Sequence, residues 1–253
     1  MPKFTRQSLV IRILFFSALI LIWAIVCYLQ IYPDYLLPSP LKVIETISFG
    51  FSDGDYLLAL SNSFRRVLIG YFLAVILGLV VGLGISRFKY LSDSIGACLT
   101  ALQSIPSVAW VPLALLWFGI SEAAVLFIVI LEAFIPAALG VQTSINNIPP
   151  KLIQAGLSLG CSGTSIYKRV IIPAILPQLL SSMRLSWAFA WRALIAGELF
   201  VNGYGLGQTL ELGRSLSDMS QVLAMIVIIA VVGYLTDNVI FKKLEKQLNY
   251  YQK

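Results

Sequence analysis

The chain has 253 residues, 58% of them hydrophobic and only 12% charged, with a net charge of +6 and a mean hydropathy of +0.88. A soluble domain carries about twice that charged fraction, so the solvent for most of this chain is lipid. The 18 basic residues lie scattered between apolar runs, which excludes a continuous nucleic-acid face, and the lack of histidine removes Ser–His and Cys–His catalysis and most zinc chemistry.

Crossing roughly 30 Å of hydrocarbon takes about 20 apolar residues in a helix. Val10–Ile31 is the first stretch of that length. It is uncharged from Ile13 to Pro33, longer than a signal-peptide core, and lacks a small-residue cleavage site, so a retained first span is expected. Tyr32–Arg66 follows as an outer segment. Within it Pro38-Ser39-Pro40 places a serine at the N-cap and a proline at the first helical position. Leu41, Ile44, Ile47 and Phe51 recur near helical spacing, which predicts a short helix on the outer membrane surface ending around Gly50–Gly54.

Further spans are expected at Val67–Ser86, Cys98–Ile120, Ala123–Ile145, Leu185–Val201 and Gln221–Phe241. The chain thus reads as all-α: a polytopic membrane protein of about six transmembrane helices in one domain, residues 1–253. Gly78-x-x-x-Gly82 permits a close helix crossing in the second span. Pro106, Pro112 and Pro136 loosen the third and fourth, as kinks or as packing elements. Cys27, Cys98 and Cys161 are too few and too scattered for a disulfide framework or a metal site.

Six spans put both termini on one side. Lys3, Arg6, Arg12, Arg87, Lys89, Lys151, Lys168, Arg169, Arg184, Lys242, Lys243, Lys246 and Lys253 all fall there, and the positive-inside rule makes that side the cytoplasm.

The cytoplasmic loop 146–184 contains KLIQAGLSLGCSGTSIYKRVIIPAILP, too polar for a span and too patterned for a linker. Its spacing predicts a short helix, a glycine turn and a second short helix. Ser162 is placed at the second N-cap and Lys168-Arg169 in the last turn, with Pro173 and Pro177 redirecting the chain to the bilayer.

Charges inside a span are costly and need a reason. Glu132 and Arg192 both fall near the midplane, which predicts a buried ion pair between the fourth and fifth spans. Arg192 could instead attract an anionic solute. Glu198 is read either as a pathway or gate residue or as a helix-end carboxylate facing water. Gly203-x-Gly205-x-Gly207 is expected to be a flexible outer turn.

The polar loop resembles the EAA signature of importer permeases. Gln154, Ala155 and Gly156 stand at the three EAA positions, Gly160 at the glycine, and Val170-Ile171-Ile172-Pro173 at the end. LPSPLKVI, SIPSVAWVPLALLWFGI and GYGLG extend the likeness along the chain, to the branch handling nitrate, sulfonates, taurine and bicarbonate. The resemblance implies a type I ATP-binding-cassette importer permease in the bacterial cytoplasmic (inner) membrane, carrying a small anionic solute. Implied partners are ABC ATPase subunits, an extracytoplasmic binding protein and a second permease copy, a homodimer. Also implied is an ATPase-coupling role for Gln154, Ala155, Gly156, Leu159, Gly160, Cys161, Ser162, Gly163, Ile166 and Pro173. No Gly-Lys dipeptide occurs, so no phosphate-binding loop is present, and ATP and magnesium are expected on the partner ATPase. An ion-coupled secondary transporter, and an ABC permease for a neutral molecule such as a vitamin precursor, remain as alternatives.

Overall fold

A computed structural model describes residues 6–245. Lys3, Lys246 and Lys253 of the charge pattern lie outside the described residues. The helices are α1 (Arg6–Tyr28), α2 (Pro40–Ser52), α3 (Asp55–Arg87), α4 (Lys89–Leu102), α5 (Ser107–Phe118), α6 (Glu122–Asn146), α7 (Pro150–Ser158), α8 (Thr164–Glu198), α9 (Leu206–Ser215) and α10 (Met219–Glu245). Four of them, α3, α6, α8 and α10, are long and apolar enough to cross a membrane. Reaching the expected six requires α1 and the bent pair α4–α5 to cross as well.

Helix α6 is the axis. On one side it meets α3 through a glycine seam. A Cβ at Gly70 would stand 2.5 Å from Val129, at Gly78 2.6 Å from Ala137, and at Gly82 2.5 Å from the Ala138 carbonyl. The crossing expected from Gly78-x-x-x-Gly82 therefore lies within this chain. On the other side Gly140 meets Ser182 of α8 just as closely, 2.2 Å from a Cβ. Val67, Ala74, Val129, Ala133, Trp187 and Leu194 fill the buried space between the three helices. Arg184 on α8 is bidentate to Asp237 on α10, at 2.6 and 2.5 Å.

The expected fourth and sixth spans correspond to α6 and α10 within two residues at their starts; others differ for identifiable reasons. Helix α3 begins at Asp55, twelve residues before Val67, because Gly54 (φ +91°) makes the turn and Arg65 and Arg66 are ion-paired on the helix rather than lost to a loop. Its 33 residues reach about 50 Å, longer than the hydrocarbon is thick.

The third span, Cys98–Ile120, is two helices meeting at 99°. Pro106 sits at the break in extended conformation (ψ 142°), and the residue before a proline is driven out of the helical region. The helix that contains the expected fifth span starts at Thr164, well before Leu185, and Pro173 and Pro177 do not interrupt it. A π-turn at Tyr167–Ile171 places Pro173 at the opening of the following α-helical segment, where its missing N–H is tolerated.

Helix α2 forms with the Ser39 hydroxyl accepting from Lys42 N at 3.3 Å. Its buried stripe is Val43 and Gly50 with Ile47 half-covered, not Leu41 and Ile44, which are exposed. Gly50 decides the face: a Cβ there would lie 2.4 Å from the Tyr56 ring.

Candidate functional site

Two ends of the bundle and one point between them concentrate the polar chemistry. At the first end, α7 terminates in a Schellman motif: Cys161 N donates to Gly156 O and Gly160 N to Leu157 O, both at 3.0 Å. Gly160 occupies the left-handed position (φ +82°), with nothing within 4 Å of a Cβ, so glycine is needed for conformation rather than room. Gly156 is the reverse case. It is buried, and a Cβ would stand 2.8 Å from Val170, so α7 lies directly on the first turns of α8.

Gly163 (φ +52°), not Ser162, is the N-cap of α8; Ser162 contributes its carbonyl, accepting from Ser165 N at 3.1 Å. Ile166 is buried beneath the turn, Cys161 is half-buried, and Gln154, Ala155 and Pro173 are exposed. Leu159 is 85% exposed at the tip. The loop is a helix–turn–helix leading into a 35-residue helix, presenting an uncovered leucine.

At the opposite end Glu198 is fully buried. It accepts from Arg66 Nη1 at 2.7 Å, from the Ser63 hydroxyl at 2.8 Å and from Gly207 N at 3.0 Å, and Ser63 Oγ in turn accepts from Leu206 N at 2.9 Å. The GYGLG segment is not a loose turn. A Cβ at Gly205 would be 2.5 Å from Glu198 Oε1, and one at Gly207 would be 2.6 Å from Glu198 Cβ. These glycines let backbone close over a buried carboxylate, with Gly205 at the N-cap of α9 and Gly207 in its first turn. Arg66 Nε also stands 3.9 Å from Glu122, which Arg65 holds at 2.7 Å.

Sequence alone singles out neither Ser63 nor Arg66. Their spacing, three residues apart on one helical face, becomes informative only once residues 55–66 are known to be helical.

Beside this network an open groove of about 950 Å³ runs between α2 and α9, with Glu45, Asp53, Glu211 and Asp218 among its lining.

Midway along the bundle, the α4–α5 break faces α6 and α8 across a cavity of about 200 Å³. Its walls are Gln103, Ser104, Ser107, Glu132, Phe189 and Arg192, with Ile105 and Pro106. The expected Glu132–Arg192 ion pair is not formed: no N···O approach within 4.0 Å joins them among the described residues. Arg192 folds along its own helix instead, donating Nε to Ala188 O at 3.1 Å and stacking on Phe189 at 4.5 Å.

Residues 74–247 match the family described as "Binding-protein-dependent transport system inner membrane component". The chain belongs to this permease family. A putative ABC transporter permease of Methanocaldococcus jannaschii is 30% identical over 93% of this chain and 90% of its own length. A putative aliphatic sulfonates transport permease of Bacillus subtilis is 30% identical over 93% and 87%, and the taurine transport system permease of Escherichia coli 28% over 87% and 82%. Among solved structures, an inward facing conformation of the MetNI methionine ABC transporter superposes with a TM-score of 0.59 at 19% identity, covering 76% of this chain and 97% of that one. That likeness concerns the fold.

The permease is thus a multi-pass inner-membrane subunit of an ATP-binding-cassette importer, as its motifs implied. In this permease the EAA-like positions fall on α7 and its Schellman turn, and the GYGLG motif on the Glu198 network.

Proposed function

We propose that this permease forms, as a pair of identical copies, the membrane pathway of an importer whose ATP and magnesium are bound entirely by separate ATPase subunits. The Gly160 end rests on the ATPase in the cytoplasm, with both termini on that side. The Glu198 end and its acidic groove receive an extracytoplasmic binding protein. The solute is small and anionic, of the nitrate, sulfonate, taurine or bicarbonate kind, in keeping with the names of the relatives.

One observation carries the coupling reading: an 85% exposed Leu159 at the tip of a turn whose shape is set by Gly160 and by the seating of Gly156 on Val170. Covering a leucine in a partner's groove contributes about 1.5–3 kcal/mol. A rigid turn fused to α8 carries a push at its tip up to Glu198, 35 residues of helix away.

Leu159→Asp and Gly160→Val test this in the assembled importer. Valine at a left-handed position costs about 1–3 kcal/mol and distorts the turn. Both variants are expected to lower ATP-dependent uptake at least about tenfold, equivalent to 1.4 kcal/mol, while permease abundance in the membrane stays near wild type. Full uptake in both would contradict the coupling role.

A further inference from the structure

The cavity at the α4–α5 break is lined by a carboxyl group and a guanidinium, Glu132 and Arg192, that form no ion pair within 4.0 Å. Glu132 is 6% exposed and has no hydrogen bond or ion pair among the described residues. A carboxylate at that depth is retained only where something offsets its burial. Arg192 lines the same cavity, yet its guanidinium is turned onto Ala188 O and the Phe189 ring, beyond 4.0 Å from Glu132. Gln103, Ser104 and Ser107, supplied by the break at Pro106 where the backbone leaves the helix, line the same cavity with side-chain amide and hydroxyl groups.

We propose that this cavity is a solute site for a small zwitterion, one that offers an ammonium to Glu132 and a sulfonate or carboxylate to Arg192. A solute with only a negative charge would meet Arg192 but be repelled by Glu132, and one with only a positive charge would meet the reverse. A molecule carrying both satisfies the two groups at once and exploits the gap that keeps them apart. The volume of about 200 Å³ equals the liquid volume of roughly six or seven waters, which suits a solute of about seven heavy atoms. Phe189 and Ile105 leave the remaining wall apolar, in contact with the short carbon chain that links the two charges. The proposal rests on the importer reading above and, within its solute list, selects the taurine-like zwitterion over nitrate and bicarbonate, which carry negative charge alone.

Thermal stabilisation of the purified permease–ATPase complex, without binding protein, tests it. The probes are taurine and β-alanine, against ethanesulfonate, propionate and ethylammonium, which carry one charge each. Wild type is expected to bind the two zwitterions about tenfold more tightly than the single-charge molecules. Glu132→Gln, which keeps the shape, is expected to remove that preference and leave taurine and ethanesulfonate equal; Arg192→Gln is expected to weaken both.

Wild type binding ethanesulfonate as well as taurine, or binding none of the probes, overturns the proposal. So does an undiminished preference in Glu132→Gln. The wild-type comparison stands even if a variant fails to fold. ATP hydrolysis by the same complex, with and without Leu159→Asp, separates the two readings. Loop-dependent hydrolysis without zwitterion preference rejects the zwitterion site alone. Hydrolysis indifferent to the loop rejects the importer coupling.

Discussion

Glu198 illustrates how a buried charge is made tolerable. Three donors converge on it: the Arg66 and Ser63 side chains of α3 and the backbone of Gly207. Removing one partner of such a pair leaves the other buried and uncompensated, at a cost of about 3–5 kcal/mol, whereas an apolar replacement of both often costs little. Arg66→Met and Glu198→Leu are each expected to reduce resistance to denaturant by that amount. The double variant should lose clearly less than the sum, measured by unfolding of the purified permease in mixed micelles. Additive losses would mean the two side chains do not support each other.

At this scale the sequence is legible in part. Glu198, Gly205 and Gly207 stand out, but Arg66 does not, because an arginine just before an apolar run reads as a loop charge until its partner, 132 residues away, is known. Glu132 and Arg192 line one cavity but do not pair, because sequence spacing does not reveal that Arg192 has Phe189 and Ala188 O within reach on its own helix.

Among the elements, apolar length locates helices well and their interruptions poorly. The windows for α6 and α10 need nothing beyond hydropathy. The third span fails that test because Val108, Ala109 and Trp110 continue the apolar run past a 99° bend, so composition stays constant while direction changes. The π-turn at Tyr167–Ile171 has the opposite effect, carrying one helix through prolines that read as a stop.

The glycine seam is legible as a motif, and the structure fixes its partner as α6. Gly78→Leu forces a side chain into Ala137 and the Ala138 backbone, and overpacking of this kind costs typically about 1–3 kcal/mol. The expected outcome is a lowered melting temperature with α3 displaced from α6. Gly84→Leu, where only Leu91 Cδ1 lies within 4 Å at 3.9 Å, should leave stability nearly unchanged. Equal losses at both positions would argue against the seam.

Considered whole, the permease leaves three surfaces uncovered. Leu14, Phe15, Phe16 and Ile22 of α1 are each more than half exposed, Arg192 is exposed beside the α4–α5 break, and Leu159 projects from one end. Lipid and a second copy would cover the first of these, a solute would satisfy the second, and an ATPase the third. The long α8 joins the Gly160 turn to the Glu198 network in one unbroken run, so motion of the turn has a mechanical route past the cavity.

Where the Gly160 turn lies decides whether that route is used. The direct measurement places a single cysteine at Leu159 in a variant whose Cys27, Cys98 and Cys161 are serine, and cross-links it within the assembled importer in native membranes. Coupling through the turn predicts a cross-link to the ATPase subunit that stops uptake, with no labelling of intact cells by a membrane-impermeant thiol reagent. Labelling from outside the cell, or a cross-link that leaves uptake at its full rate, would contradict it.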